Sequence, residues 1–184
     1  MKRVFLAIHI KDTVIISQVI NILKSELMAE NISWAEPKNL HLTLRFFGPT
    51  EDSLLKKIEK QLEVSLQNQK PFSISFDKLG IFGSKYQPRV LWMGMDRNED
   101  LEKLYETVNA GMEEIGLSSD RQNFVPHITL GRIKKLQSKK YFQSVIDRYK
   151  EFGMHEMLID RVFLYESIMK KSGVEYRVLK EYVF

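Results

Sequence analysis

His41-Leu42-Thr43-Leu44 and, 86 positions further on, His127-Ile128-Thr129-Leu130 are two copies of one four-residue pattern. Side chains of an extended strand alternate faces, so each His shares a face with its Thr. The Leu or Ile between them points the other way, into a core. Each copy therefore reads as a half-buried strand with imidazole and hydroxyl on its open side. Two such strands in one chain imply a site built from a matched pair of histidines.

The repetition extends outward from these strands. Arg3-Val4-Phe5-Leu6 matches Arg89-Val90-Leu91-Trp92 at the same offset of 86, and both read as strands that open a unit. A helical period follows each: Val14, Ile15, Val19, Ile20, Leu23 and Leu27 in one, Leu101, Leu104, Tyr105, Val108, Met112 and Ile115 in the other. Helical patterns also follow the motifs, near Ser53 to Leu66 and Ser138 to Tyr149. A third match then aligns Phe76 to Ser84 with Ile159 to Ser167, at an offset of 83. The order in each half is strand, helix, motif strand, helix, strand. Two like halves, about 3–84 and 89–167, predict one two-lobed domain with a pseudo-twofold axis that brings His41 and His127 to a shared cleft.

A chain of 184 residues, 43% hydrophobic and 28% charged, has the composition of a globular protein with a sizeable core. No apolar run is long enough to span a bilayer, and no signal-peptide pattern opens the chain. With no cysteine, thiolate metal sites, disulfides and a Cys nucleophile are excluded, and a cytoplasmic location is the expectation. The net charge of +4 favours anionic substrates but is weaker than the basic stripe of a duplex-gripping protein. No linker or low-complexity segment divides the chain. Loops are expected at Asn31 to Asn39, Asn68 to Pro71, Gly83 to Pro88 and Gly116 to Asn123.

Two histidines and two threonines around a cleft suit attack on phosphorus. Histidine titrates near neutrality, so one ring can remove a proton from the nucleophile while the other protonates the leaving oxygen. Threonine hydroxyls can donate to the non-bridging oxygens that carry charge in the transition state. Zinc is the rival use of paired histidines, but His with Thr two residues on is a poor chelate, and no Cys, Asp or Glu lies at ligand spacing. No metal and no other cofactor is expected. The chain also lacks a P-loop, a Gly-x-Gly-x-x-Gly fingerprint and a nucleophile elbow.

Asn39-Leu40-His41-Leu42-Thr43-Leu44-Arg45-Phe46-Phe47-Gly48 and Phe124-Val125-Pro126-His127-Ile128-Thr129-Leu130-Gly131-Arg132 resemble the paired His-x-Thr-x motifs of the two-histidine (2H) phosphoesterase superfamily. Within it the resemblance is to the bacterial and archaeal RNA 2′,3′-cyclic phosphodiesterases, also described as 2′-5′ RNA ligases. It spans essentially the whole chain, including Arg89-Val90-Leu91-Trp92 and Tyr176-Arg177-Val178-Leu179. One departure is Phe47, where Leu is more usual. The resemblance implies a bilobal α+β fold, each lobe an antiparallel sheet with outer helices, and a central active-site cleft. It implies metal-independent hydrolysis of 2′,3′-cyclic phosphate RNA ends to 2′-phosphate, reversible as 2′-5′ ligation. Apart from the resemblance, a monomer without a membrane partner is the expectation. By motif position His41 is the implied proton donor and His127 the proton acceptor. Thr43, Thr129 and Arg132 are the implied phosphate ligands. The sequence itself does not distinguish the two histidines.

Strict alternation places Arg132 on the face opposite His127, so it reaches the cleft only through a bulge near Gly131. The same alternation places Arg45 on the His41 face, at a solvated strand end. Trp34 is the leading candidate for stacking on a base, ahead of Phe47 and Tyr86. Trp92 reads as core, and His9 and His155 read as structural or exposed. Two alternatives remain: a phosphodiesterase for a small cyclic nucleotide, and a non-catalytic module that binds RNA ends.

Overall fold

A computed structural model describes residues 1–11, 13–84, 86–118, 124–171 and 173–184, with residues 151–155 as backbone only. The elements run β1 (Lys2–His9), α1 (Val14–Glu26), β2 (Asn31–Trp34), a 3₁₀ turn (Pro37–Asn39), β3 (His41–Thr50), α2 (Asp52–Leu66) and β4 (Phe72–Ser84). Then come β5 (Gln87–Gly94), α3 (Glu99–Glu114), β6 (His127–Lys135), α4 (Lys139–Arg148), β7 (Glu151–Ile159), β8 (Arg161–Lys170) and β9 (Gly173–Val183). The four helices of the described residues fall where the apolar period puts them. Asn98 caps α3 by accepting from the Leu101 amide at 2.9 Å, ahead of an acidic first turn that complements the helix dipole. Ser138 caps α4 in the same way. The Glu30 carboxylate adds bonds to the Gln137 and Ser138 amides, tying the chain before β2 to the start of α4.

The expected Asn31–Asn39 loop is not loop throughout. Its first residues form β2, an edge strand on β6. Of the expected Gly116–Asn123 loop, residues 119–123 lie outside the described residues, as does Lys85 of the expected Gly83–Pro88 loop.

The strands form one antiparallel sheet in the order β7-β4-β5-β6-β3-β1-β8-β9, with β2 added beside β6. The order is symmetric about the β6–β3 boundary, where Leu42 pairs with Ile128. Each half-sheet borrows strands from the other half of the chain. β4 precedes the second motif in sequence yet lies beside β5, while β8 lies beside β1. The fold is α+β with two antiparallel half-sheets and outer helices, as expected, and each half-sheet takes in strands from the other repeat unit.

Helices cover one face. Ile16, Ile20 and Leu23 of α1, Ile58 and Leu62 of α2, Leu104, Val108 and Met112 of α3, and Phe142 and Val145 of α4 are buried there. They meet Leu6, Ile8, Leu42, Leu44, Ile128 and Leu130 in one core. Burying each such side chain contributes about 1.5–3 kcal/mol, and a one-residue slip of β3 or β6 would turn that strand's own apolar side chains to water. The core therefore fixes the register, and with it the face on which the motif histidines stand. Helices pair as α1 with α4, through Glu26 accepting from Tyr141, Arg148 and Tyr149, and as α2 with α3, through Gln61 donating to Glu114. The other face of the sheet carries a small aromatic cluster of Phe5, Ala7 and Tyr165, joined by Phe163 and Tyr176.

Candidate active site

His41 opens β3 and His127 opens β6. The Leu42–Ile128 bridge makes Thr129 the residue across from His41, and Thr43 the residue across from His127. The two histidines are then diagonal neighbours on one face, at a backbone separation of about 7–8 Å by ladder geometry. All four motif side chains stand on the helix-free face and are half-buried.

The histidines are held identically. His41 Nδ1 lies 2.7 Å from the Asn39 carbonyl, and His127 Nδ1 lies 2.7 Å from the Val125 carbonyl. A carbonyl can only accept, so each Nδ1 carries the proton and each Nε2 is left for the cleft. Each ring also meets an aromatic edge at nearly right angles: Tyr176 for His41 at 5.0 Å and Phe82 for His127 at 4.7 Å. Burial lowers the pKa of both histidines. The carbonyl bonds oppose that shift, and the Arg132 charge adds to it in both cases. Burial thus favours neutral rings, and an anion between them would favour the charged form.

Alternation breaks after each motif, in the same way. Thr43 faces Ala7 and Arg45 faces Leu6, which leaves Leu44 as an extra residue. Thr129 faces Trp92 and Gly131 faces Leu91, which leaves Leu130 extra. Each bulge turns the following residues over. Arg132 is thereby carried to the motif face, where its charge acts on both histidines. The Arg45 expectation is corrected: the residue is 6% exposed, on the helix side, and its guanidinium donates to Asn109 and the Ser118 carbonyl, the latter at 2.6 Å. Phe46, 66% exposed, takes the position in β3 that Arg132 takes in β6.

Trp34 is not brought to the cleft. It pairs with Gly131 and packs with Ile32 against the main core, on the helix side. A side chain at Gly131 would come within 2.7 Å of Ile32 and 3.3 Å of Trp34, so the glycine makes room for β2. The Trp92 expectation also fails. Its ring lies on the cleft face, 5.2 Å from Phe82 and 6.3 Å from His127. The sequence match had set Trp92 against Leu6, but the sheet register sets it against Ala7, one residue along. Phe47 packs against the core and Tyr86 is exposed on the β4–β5 turn. The His155 side chain lies outside the described residues.

His9, read as structural, pairs directly with His41 across β1 and β3. A recess of about 220 Å³ opens between them, walled by Phe163, Tyr165, Tyr176 and Val178, with Lys38 and Asn39 at its rim. Burial holds the Tyr165 phenol up to about 12 and raises that of Tyr176, so both stay neutral. Neither tyrosine was legible as a site residue, because both reach His41 only through the curl of β8 and β9. Among the described residues no group of three or more His, Cys, Asp or Glu side chains could hold a metal. No described helix is long and apolar enough to cross a membrane.

Residues 20–168 match the model of the 2′-5′ RNA ligase superfamily. The chain is 31% identical over 180 residues to an RNA 2′,3′-cyclic phosphodiesterase of Methanocaldococcus jannaschii, covering 98% of this chain and 99% of that one. It is 32% identical over 184 residues to a protein of the same description from Thermotoga maritima, covering 99% and 95%. Among solved structures, a protein of Thermus thermophilus superposes with a TM-score of 0.80 at 23% identity, covering 98% and 97%. Escherichia coli LigT complexed with 3′-AMP gives 0.78 at 23% identity, covering 99% and 97%.

Proposed function

The chain belongs to the 2′-5′ RNA ligase superfamily, and on that premise we propose that it hydrolyses 2′,3′-cyclic phosphate ends of RNA to 2′-phosphates by acid–base catalysis between His41 and His127. The relatives at about 30% identity along nearly the whole chain support the substrate class. The observation that carries the chemistry is the paired geometry: two imidazoles, each with Nδ1 committed to a carbonyl, presenting Nε2 to one cleft across the Leu42–Ile128 bridge.

In this reading the cyclic phosphate sits between the rings. Water attacks phosphorus as His127 Nε2 takes its proton. The bond from phosphorus to O3′ breaks, and protonated His41 Nε2 gives its proton to O3′. The product keeps the phosphate on O2′, and the two rings exchange protons with solvent to reset. Thr43, Thr129 and Arg132 stabilise the charge that grows on the non-bridging oxygens. Binding the anion raises both histidine pKa values, which supplies the charged His41 that the free protein disfavours. The same path, with a 5′-hydroxyl attacking in place of water and O3′ leaving as before, would form a 2′-5′ linkage, and its reversal would cleave one. The protein is taken to act as a cytoplasmic monomer without a bound metal or other cofactor.

The test is conversion of an RNA oligonucleotide ending in a 2′,3′-cyclic phosphate, with a chelator present. A 2′-phosphate product in the wild type, lost in His41→Ala and in His127→Ala, supports the reading. Full activity in either variant sinks it.

A further inference from the structure

The two halves of the cleft are not equivalent, and the difference lies beside His41. In the half-sheet of β6, β5 and β4, the Trp92 ring lies over Gly80 and Gly94, so close that a Cβ on either glycine would fall within 2.5 Å of it. The register sets Ala7, Phe163 and His9 in the places of Trp92, Gly80 and Gly94. Where one half has a large ring over two glycines, the other has a methyl group between two flanking rings. The recess beside His41 opens there. Its 220 Å³ is below the roughly 300 Å³ at which pockets begin to take whole drug-sized ligands, so it suits one ring system.

We propose that this recess receives the base of the nucleoside that carries the cyclic phosphate, and that His9 reads the edge of that base. The inference rests on the function proposed above. There His41 protonates O3′, so the nucleoside lies on the His41 side of phosphorus, next to the recess. Phe163, Tyr165 and Tyr176 supply aromatic and apolar walls on which a base can stack. Among the described residues neither ring nitrogen of His9 meets a hydrogen-bond partner. A neutral imidazole offers one donor and one acceptor, the pattern that matches a base edge. Burial and the Lys11 charge lower the His9 pKa, which keeps that neutral form available at pH 7. His9 is thus a specificity-determining residue.

The test compares kcat/KM for RNA ends bearing each of the four bases, and for an end whose last ribose is abasic, in the wild type, His9→Ala and His9→Gln. The wild type should favour its best base over the abasic end by tenfold or more. His9→Ala should shrink the spread among bases to within about twofold, losing far more on the best base than on the abasic end. His9→Gln, which keeps a donor and an acceptor, should restore part of the spread. An unchanged spread in His9→Ala, or equal loss on based and abasic ends, overturns the assignment. If the wild type turns over none of these ends, the proposed function falls. The recess is then read by binding alone, from the affinities of nucleoside 2′-monophosphates against ribose 2-phosphate. Tighter binding of the nucleotides, weakened by His9→Ala, upholds the recess, and equal affinities overturn it.

Discussion

Leu42 of β3 pairs with Ile128 of β6 at the boundary between the two half-sheets. Both side chains are fully buried under the helices. Their burial obliges the flanking residues, His41 with Thr43 and His127 with Thr129, to face the opposite side together. The proposed chemistry depends on that one contact between buried aliphatic residues.

Removing either imidazole should therefore be costly for turnover and cheap for folding. His41→Asn and His127→Asn are each expected to lower kcat by about 10²–10⁴, the usual contribution of one general acid or base. Circular dichroism melts should move by only a few degrees. A double variant that loses little more than either single one would indicate that the rings act as a unit.

The pH dependence follows from the direction of the shifts. One ring must be charged and the other neutral, so kcat/KM should be bell-shaped. Burial lowers both pKa values in the free protein. The bell for kcat/KM should then lie on the acid side of an ordinary histidine pair, and the bell for kcat should move up as the bound phosphate raises both values. A profile for kcat/KM centred above pH 7 would contradict this.

Stability should report the same groups. A histidine with a lowered folded pKa takes up its proton more readily when unfolded, so stability falls as pH drops below about 6.5. His9, His41 and His127 all have lowered values. The melting temperature should decline from pH 7 to pH 5, before the carboxylates titrate. The His41→Asn/His127→Asn double variant should decline less. Inorganic phosphate should stabilise the wild type more strongly at pH 5.5 than at pH 8.

Arg45 is expected to matter for stability and not for chemistry. Its guanidinium is buried against Asn109 and the Ser118 carbonyl. Arg45→Met should cost about 2–4 kcal/mol, because Asn109 and that carbonyl lose charged-donor bonds while buried. Denaturant melts measure the loss, and kcat per folded molecule should stay within a few-fold of wild type. Arg132→Met should do the opposite, keeping the midpoint and lowering kcat/KM by about tenfold or more, as expected for a lost bond to a charged phosphate.

Gly131 joins the two behaviours. Gly131→Val would drive its side chain into Ile32 and Trp34. Overpacking of this kind costs about 1–3 kcal/mol. Because Gly131 sits in the bulge that turns Arg132 over, catalytic loss should accompany the loss of stability. Trimming the neighbour, as in Gly131→Val with Ile32→Ala, should recover stability more than activity.

Much of this was legible in the chain itself. The alternation of His and Thr with Leu and Ile, the helical periods between them and the repetition at a near-constant spacing determined the elements, the motif faces and the pairing of two histidines. These are local patterns, set by which residues gain from leaving water. The faces of Arg45, Arg132 and Trp92 were decided only by the tertiary structure. Each depends on a bulge or a register, where a single extra residue reverses every side chain that follows. The exchange of β4 and β8 between half-sheets, and the recess that β8 and β9 close around His9 and His41, depend on contacts between residues distant in sequence. Those contacts form only when the sheet curls, and no stretch of sequence carries them alone.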